Sequence, residues 1–491
     1  MRICIINTGG TISCAGQPLA PMPADRFAQA ARRLLVPALE AALPGCALTF
    51  DTGLRFSDSG PGLLDSTDLR PSDWCRIAAR VLDLHADHDG FVILHGTDTM
   101  DYSAAALAML LGVRDGLGLA RAALSKPVIL TGSQLPLFRE TPDGLVLNAG
   151  SDAQANLTGA LRALRLRLPE VGLFFDGRLM RGTRALKVST TGFAAFDSPH
   201  LPPLAQVGIG THPGPAAALD GPAAPDLALD APGARALVAD QLAAVAARID
   251  DQRIVQIPMV PAAPGVMAGL VEAALAQGAT GLILEGFGAG NIPQGVDAAG
   301  TGTMARALAR ATVPVLIASR AIGGQVGAFD YAAGAWIAAT GAIPLGDMTP
   351  VAALAKLAVL SVAADHHGWD RATLAALMRR SLAGECTARD RLSGTLLPGE
   401  ALEAADGPVR LWNDPDAGPR LTDGDRVIWQ APGPGLLRRT GGRLVLTAPC
   451  GTELWSAPAA PDAVALLTAH PPALRLIDPA RRVPDATVLP A

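Results

Sequence analysis

Seven short apolar runs constrain this chain more than any other feature: Ile3 to Ile6, Phe91 to Leu94, Pro127 to Thr131, Val171 to Phe175, Ile254 to Ile257, Gly281 to Leu284 and Pro314 to Ala318. Between them lie longer stretches rich in alanine and leucine, among them Ala24 to Leu39, Arg70 to Leu84 and Ser103 to Leu111, which read as helices. A strand that is apolar on both faces must be covered on both faces. Strands of that kind spaced by amphipathic helices build a mostly parallel sheet. The expected class is α/β.

The same rhythm sets the expected boundaries. At 491 residues the chain exceeds what one core accommodates, so two or three domains are expected. The alternation is broken by the proline- and alanine-rich stretch Pro213 to Pro232 and resumes at Ile254. This predicts an N-terminal α/β domain over 1–205, a linker or insertion over 206–252 and a second α/β domain over 253–385. From 386 to 491 the texture changes to short segments between Pro, Gly and Asp turns. Three of the chain's six tryptophans, Trp412, Trp429 and Trp455, lie there, and a small β-rich appendage is expected. Within it, RLTDGDRVIW and GRLVLTAPCGTELW are similar to the bulb-lectin β-prism repeat, without that family's sugar-binding polar pattern.

Composition removes several classes of function. The 40 basic and 45 acidic residues are scattered, leave a formal charge of -5 and form no basic stripe, so nucleic acid is not an expected partner. The six cysteines form no C-x-x-C pair and have no histidines at metal-ligand spacing, which predicts a reduced compartment and no metal site. The start, MRICIINTGG, has a four-residue apolar run that is too short for a signal-peptide core. No run approaches the roughly 20 apolar residues of a membrane span. The expectation is a soluble, cytoplasmic protein with no membrane partner. Of the 40 basic residues only Lys126, Lys187 and Lys356 are lysine, so a basic site in this chain is arginine by default.

Chemistry concentrates at two strand ends. The first strand runs into Asn7-Thr8-Gly9-Gly10-Thr11, where two glycines permit a sharp turn that displays the Thr11 hydroxyl. The rival reading, a dinucleotide-binding turn, lacks the G-x-G-x-x-G spacing. Phe91 to Leu94 runs into His95-Gly96-Thr97-Asp98-Thr99, again a hydroxyl and a carboxylate just after a buried strand. Asp98 or Thr99 could instead cap the helix that follows, and His95 reads as a hydrogen-bonded packing residue. In open α/β sheets ligands gather at that edge, so Thr11 and Thr97 can share one crevice. A threonine hydroxyl is a weak nucleophile until a base takes its proton, and a desolvated lysine is one such base. Lys187, in Arg181-Gly-Thr-Arg-Ala-Leu-Lys187, is the candidate, because this chain otherwise favours arginine.

The segments NTGGTIS, DSTDL, HGTDTMDYSA, KPVILTGSQLP, RGTRALKVSTTGFAAFDSP, EGFGAGNIP and GDMTPVAALAKL resemble the asparaginase/glutaminase family, in the family's order, from residue 1 to about 385. EGFGAGNIP is closest in pattern to the cytoplasmic type I branch. The resemblance implies a two-domain asparaginase-like fold and hydrolysis of L-asparagine to L-aspartate and ammonia. It implies Thr11 as nucleophile, with Thr97, Asp98 and Lys187 as a second catalytic group. Asp98 would take the substrate's α-ammonium and Ser66 its α-carboxylate, with Asp65 and Gly96 lining the substrate site. Backbone N–H groups near Thr11 and Thr97 would meet the oxyanion.

No metal or organic cofactor is implied, the partner is a small amide substrate, and a homodimer or homotetramer is expected. Family members also carry a flap tyrosine shortly after the first threonine. This chain has only Tyr102 and Tyr331, neither within Ser13 to Met22. Two other readings stand beside the first: an amidohydrolase that acts on another amide or supplies ammonia to a partner, and a non-catalytic amino-acid-binding protein on the same scaffold.

Overall fold

Ile3, Ile5 and Ile6 are wholly buried in β1 (Arg2–Asn7), which lies between two parallel neighbours, β2 (Ala47–Asp51) and β3 (Gly90–Leu94). β4 (Val128–Thr131) and β5 (Val171–Phe175) continue the parallel run beyond β3. β6 (Arg178–Arg181), β7 (Ala205–Val207) and β8 (Thr211–Pro213) then complete the sheet as antiparallel strands. The order across this sheet is β8-β7-β6-β5-β4-β3-β1-β2. From β1 the chain crosses to β2 on one side and returns to β3 on the other. The order therefore reverses between β1 and β3, and a crevice opens at the carboxyl ends of those two strands.

This computed structural model describes all residues except 57–61, 296–301, 328, 330–331, 441, 460–462, 481–484 and 490–491. A second parallel sheet runs β9 (Ile254–Pro258), β10 (Gly281–Gly286), β11 (Val315–Ser319) and β12 (Ile343–Pro344). Each sheet has its own apolar core, one including Ile3, Val92, Leu157 and Phe174, the other Leu282, Leu284, Ile317 and Ile337. The mixed α/β class with mostly parallel sheets is thus as expected.

Four helices matter for the site: α1 (Pro71–Leu84), α2 (Met100–Leu110), α3 (Pro232–Arg248) and α4 (Pro350–His367). α2 is buried nearly all round and packs on α4, as an apolar helix must. α4 starts where Thr349 accepts the Ala352 N–H at 3.1 Å, has Pro350 in its first position, and ends at Gly368 with φ 70°. The stretch 206–252, read from the sequence as a linker or insertion, carries regular structure. It contributes β8 to the first sheet and the whole of α3. Ala234, Val238, Gln241, Leu242 and Val245 recur at helical spacing and bury the face that α3 packs on α1 and α4.

Met1–Val113, Ala122–Gly368 and Ala383–Cys386 form one compact unit, and Arg114–Arg121, Trp369–Leu382 and Thr387–Ala491 form another. Thr387–Ala491 in the second is β-rich, and the unit also takes in two segments that the sequence reading had left within the α/β domains. It contains three four-stranded antiparallel sheets, with centres at Val464–Ala469 and Pro472–Ile477, at Leu436–Thr440 and Arg443–Thr447, and at Val409–Asp414 and Gly418–Asp423. Alternate residues such as Leu411, Leu421, Leu437, Leu444 and Leu474 point into a core common to the three sheets. Trp429 and Trp455 meet edge to face at 6.1 Å, whereas Trp412 lies under the Arg420 guanidinium at 4.4 Å. Among the described residues no helix is long and apolar enough to cross a membrane.

Candidate active site

Beyond β1 the chain turns through Gly9 and Gly10 with φ of 110° and 71°. Thr8 ties this end to β3 by donating its N–H (2.9 Å) and its hydroxyl (3.0 Å) to the Leu94 carbonyl. The Gly10 N–H reaches the Leu64 carbonyl at 3.0 Å, which draws in the segment that carries Asp65 and Ser66. A Cβ on Gly10 would lie 2.2 Å from the Cα of Gly96, so the loops after β1 and β3 touch backbone to backbone. Thr11 then opens a single 3-10 turn, Thr11–Ser13, and its hydroxyl has no hydrogen-bond partner among the described residues.

On the β3 side, His95 is fully buried, pairs through Nδ1 with the Gly96 carbonyl at 2.7 Å, and is pushed down to about 4 by burial. It is the packing histidine expected. Neither Asp98 nor Thr99 caps α2 with its side chain. The Thr99 hydroxyl donates instead to the Ser66 carbonyl at 2.7 Å. Lys187 arrives from the short ladder of Leu186–Lys187 with Phe196–Asp197 and donates from Nζ to Thr97 Oγ1 at 2.9 Å and to Asp98 Oδ1 at 2.6 Å. Thr97 is buried, the Lys187 side chain is 17% exposed and that of Asp98 54%. The cluster has one dry side and one side open to a ligand.

The structure thus brings Thr97, Asp98 and Lys187 into one hydrogen-bonded group, with Thr11 on the adjoining loop. Ser66 is buried with its hydroxyl against Gly96, 2.5 Å from where a Cβ would stand. Asp65 is turned to its own segment, where Oδ1 accepts the Thr67 N–H at 3.0 Å and the Thr67 hydroxyl at 2.9 Å. The segment Ser13 to Met22 is a small hairpin of Cys14–Ala15 with Ala20–Pro21. Tyr102 lies on α2, where burial raises its phenol above the usual range, and Tyr331 lies outside the described residues.

Two supports of Lys187 escape sequence reasoning. Asp101, in the first turn of α2, accepts the Lys187 N–H at 3.1 Å, and it is a buried carboxylate on an otherwise apolar helix. Arg184, also buried, donates from Nε to the Gly384 carbonyl at 2.7 Å and pairs with Asp347 at 3.0 Å. HGTDTMDYSA holds two aspartates, Asp98 and Asp101, and its second is the one sequence signal available for Asp101. A cavity of about 200 Å³ is lined by Leu186 together with His200, Gln256, Glu285 and Arg320, and by none of the site residues named from the sequence.

Residues 2–214 match the family description "Asparaginase, N-terminal" and residues 256–378 match "Glutaminase/Asparaginase C-terminal domain". The chain is 37% identical over 329 residues to L-asparaginase 1 of Escherichia coli, covering 67% of this chain and 83% of that one. It is 31% identical over 335 residues to a glutamyl-tRNA(Gln) amidotransferase subunit of Aeropyrum pernix, covering 66% and 67% respectively. Among solved structures, L-asparaginase I from Vibrio cholerae aligns with a TM-score of 0.57 at 30% identity, over 79% of this chain and 99% of that chain.

Proposed function

The chain belongs to the asparaginase/glutaminase family, and from that premise we propose that it hydrolyses L-asparagine to L-aspartate and ammonia with Thr11 as nucleophile. The observation that carries this reading is the Lys187 ammonium bridging Thr97 and Asp98 beside the loop that presents the Thr11 hydroxyl. Free carboxylate oxygen on the half-exposed Asp98 suits an α-ammonium, and the buried Ser66 hydroxyl suits an α-carboxylate.

In this reading Thr11 Oγ attacks the side-chain amide carbon, and backbone N–H groups beside Gly10 and Gly96 hold the oxyanion. The hydroxyl proton of Thr11 is passed on to the amide nitrogen, the C–N bond breaks, and ammonia leaves a β-aspartyl ester on Thr11. Thr97, held by Lys187, orients the water that attacks this ester. The ester C–O bond breaks, aspartate leaves, and Thr11 Oγ regains its proton. No tyrosine lies in the hairpin Cys14–Pro21, so the proton from Thr11 travels through water or a group other than a flap phenol. We also read the chain as a cytoplasmic homodimer or homotetramer.

Ammonia release from L-asparagine tests the reading directly. Wild-type protein should release ammonia; Thr11→Ala, Thr97→Ala and Lys187→Met should lose at least about a hundredfold in kcat while still binding aspartate. Release from glutamine but not asparagine would move the substrate. Aspartate binding without any ammonia release from wild-type protein would overturn the proposal in favour of a non-catalytic binder.

A further inference from the structure

We propose that Asp101 is a positioning residue for the reaction, fixing the place of Lys187 by holding its backbone N–H. This rests on the reading that Thr97 and Lys187 act in the chemistry. The carboxylate of Asp101 accepts the Lys187 N–H through Oδ2 at 3.1 Å and the Tyr102 N–H through Oδ1 at 3.0 Å. Both of its oxygens are therefore engaged, and only 4% of the residue is exposed.

The strand that carries Lys187 is only two residues long. It pairs with Phe196–Asp197, and the neighbouring Val188 N–H goes to the Ala195 carbonyl at 2.8 Å. Those bonds are internal to the hairpin, and Arg178 of β6 ties the partner strand to the sheet by donating to the Asp197 carboxylate at 2.9 Å and the Phe196 carbonyl at 2.7 Å. Asp101 ties the Lys187 backbone itself to the side of the site that holds Thr97, because it belongs to α2, the helix that begins two residues after Asp98. The five consecutive residues Thr97 to Asp101, running from the loop after β3 into the first turn of α2, thus carry the Thr97 and Asp98 partners of the Lys187 ammonium and also the acceptor of its backbone. The position suits a carboxylate electrostatically, since Asp101 lies in the first turn, where the helix dipole favours negative charge. Burial still raises its carboxyl above the usual range, against the lowering effect of the Lys187 and Tyr102 amides. A carboxylate kept buried at that cost, with both oxygens spent on backbone N–H groups, fits a demand for placement.

The variants Asp101→Asn and Asp101→Ala separate placement from folding. Asn keeps the shape and one acceptor oxygen, whereas Ala leaves the Lys187 N–H with nothing to accept it. Displacement of a reacting group by about 1 Å costs roughly a hundredfold in rate. The expected result is a fall in kcat of order ten- to a hundredfold for Asp101→Ala and of a few-fold for Asp101→Asn, with KM and the Kd for L-aspartate unchanged in both. Full kcat in folded Asp101→Ala would overturn the proposal, as would a change confined to KM. If the alanine variant does not fold, Asp101→Asn decides alone, and unchanged kcat there is equally fatal. Lys187→Met is measured alongside. If that variant keeps full activity, the catalytic reading has failed; if it is inactive while Asp101→Ala is fully active, only the positioning role has failed.

Discussion

Substituting Gly10 by alanine should separate the two halves of the site. The Cβ would stand 2.2 Å from the Cα and 2.3 Å from the N of Gly96, both backbone atoms with no side chain to swing aside. To reach an ordinary contact of 3.4 Å the two loops must part by about 1.2 Å. That displaces Thr11 relative to Thr97, and a shift of about 1 Å between reacting groups costs on the order of a hundredfold in rate. Gly10 also has φ 71° and ψ -179°, a combination closed to residues with a Cβ at a cost of about 1–3 kcal/mol.

The assay is kcat for ammonia release together with the urea midpoint, compared with Gly265→Ala. Gly265 likewise has positive φ, 85°, but nothing within 4 Å of the added Cβ, so it should lose only about 1 kcal/mol and no activity. If Gly10→Ala keeps its rate within threefold, or destabilises no more than Gly265→Ala, the contact between the loops does not govern the geometry of the site.

Two other outcomes follow from buried groups. His85 and His95 are both at 0% exposure and held to about 4 by burial, against 6.5 for the ordinary side chain. Between those values the unfolded chain binds more protons than the folded one, so stability is full above pH 6.5 and falls as pH drops towards 4, by about 3 kcal/mol for each group. Urea midpoints at pH 7 and pH 4.5 check this, and His85→Leu, which keeps the packing on Phe91, should remove about half the slope. All six cysteines are unpaired, and Cys450 alone is exposed, while burial pushes the thiols of Cys4, Cys75 and Cys386 up to about 12. One equivalent of a thiol reagent should therefore react fast in native protein, and the assignment of the thiols fails if Cys450→Ser leaves that equivalent in place.

Much of the frame was legible because it is written in consecutive residues. Ile3 to Ile6 and Phe91 to Leu94 are apolar without alternation, as strands covered on both faces must be, and both are strands at the centre of the first sheet. Lys187 was legible for a chemical reason, its rarity among arginines, although its contact with Thr97 spans 90 residues of sequence. The supports of that contact were not. Asp101 reads locally as an ordinary acidic residue in a first turn, and only the fold shows its second oxygen meeting a backbone N–H 86 residues away. Thr99 likewise looks like a cap until the Ser66 carbonyl is brought beside it. α3 was obscured because the prolines of Pro213 to Pro232 leading into it read as a linker or insertion, although its alanines favour a helix.

The C-terminal unit takes in, besides its three sheets, Trp369–Leu382 just ahead of them and Arg114–Arg121 from far earlier in the chain. Leu119, from Arg114–Arg121, packs with Leu466 and Ile477, and Arg380 is buried against Asp390 at 2.7 Å. This part of the protein is therefore not a portable cassette. A gene fusion carrying only Thr387–Ala491 would lack two segments of its own unit, and a version ending at Cys386 would keep Leu119 and Arg380 without Leu466, Ile477 and Asp390.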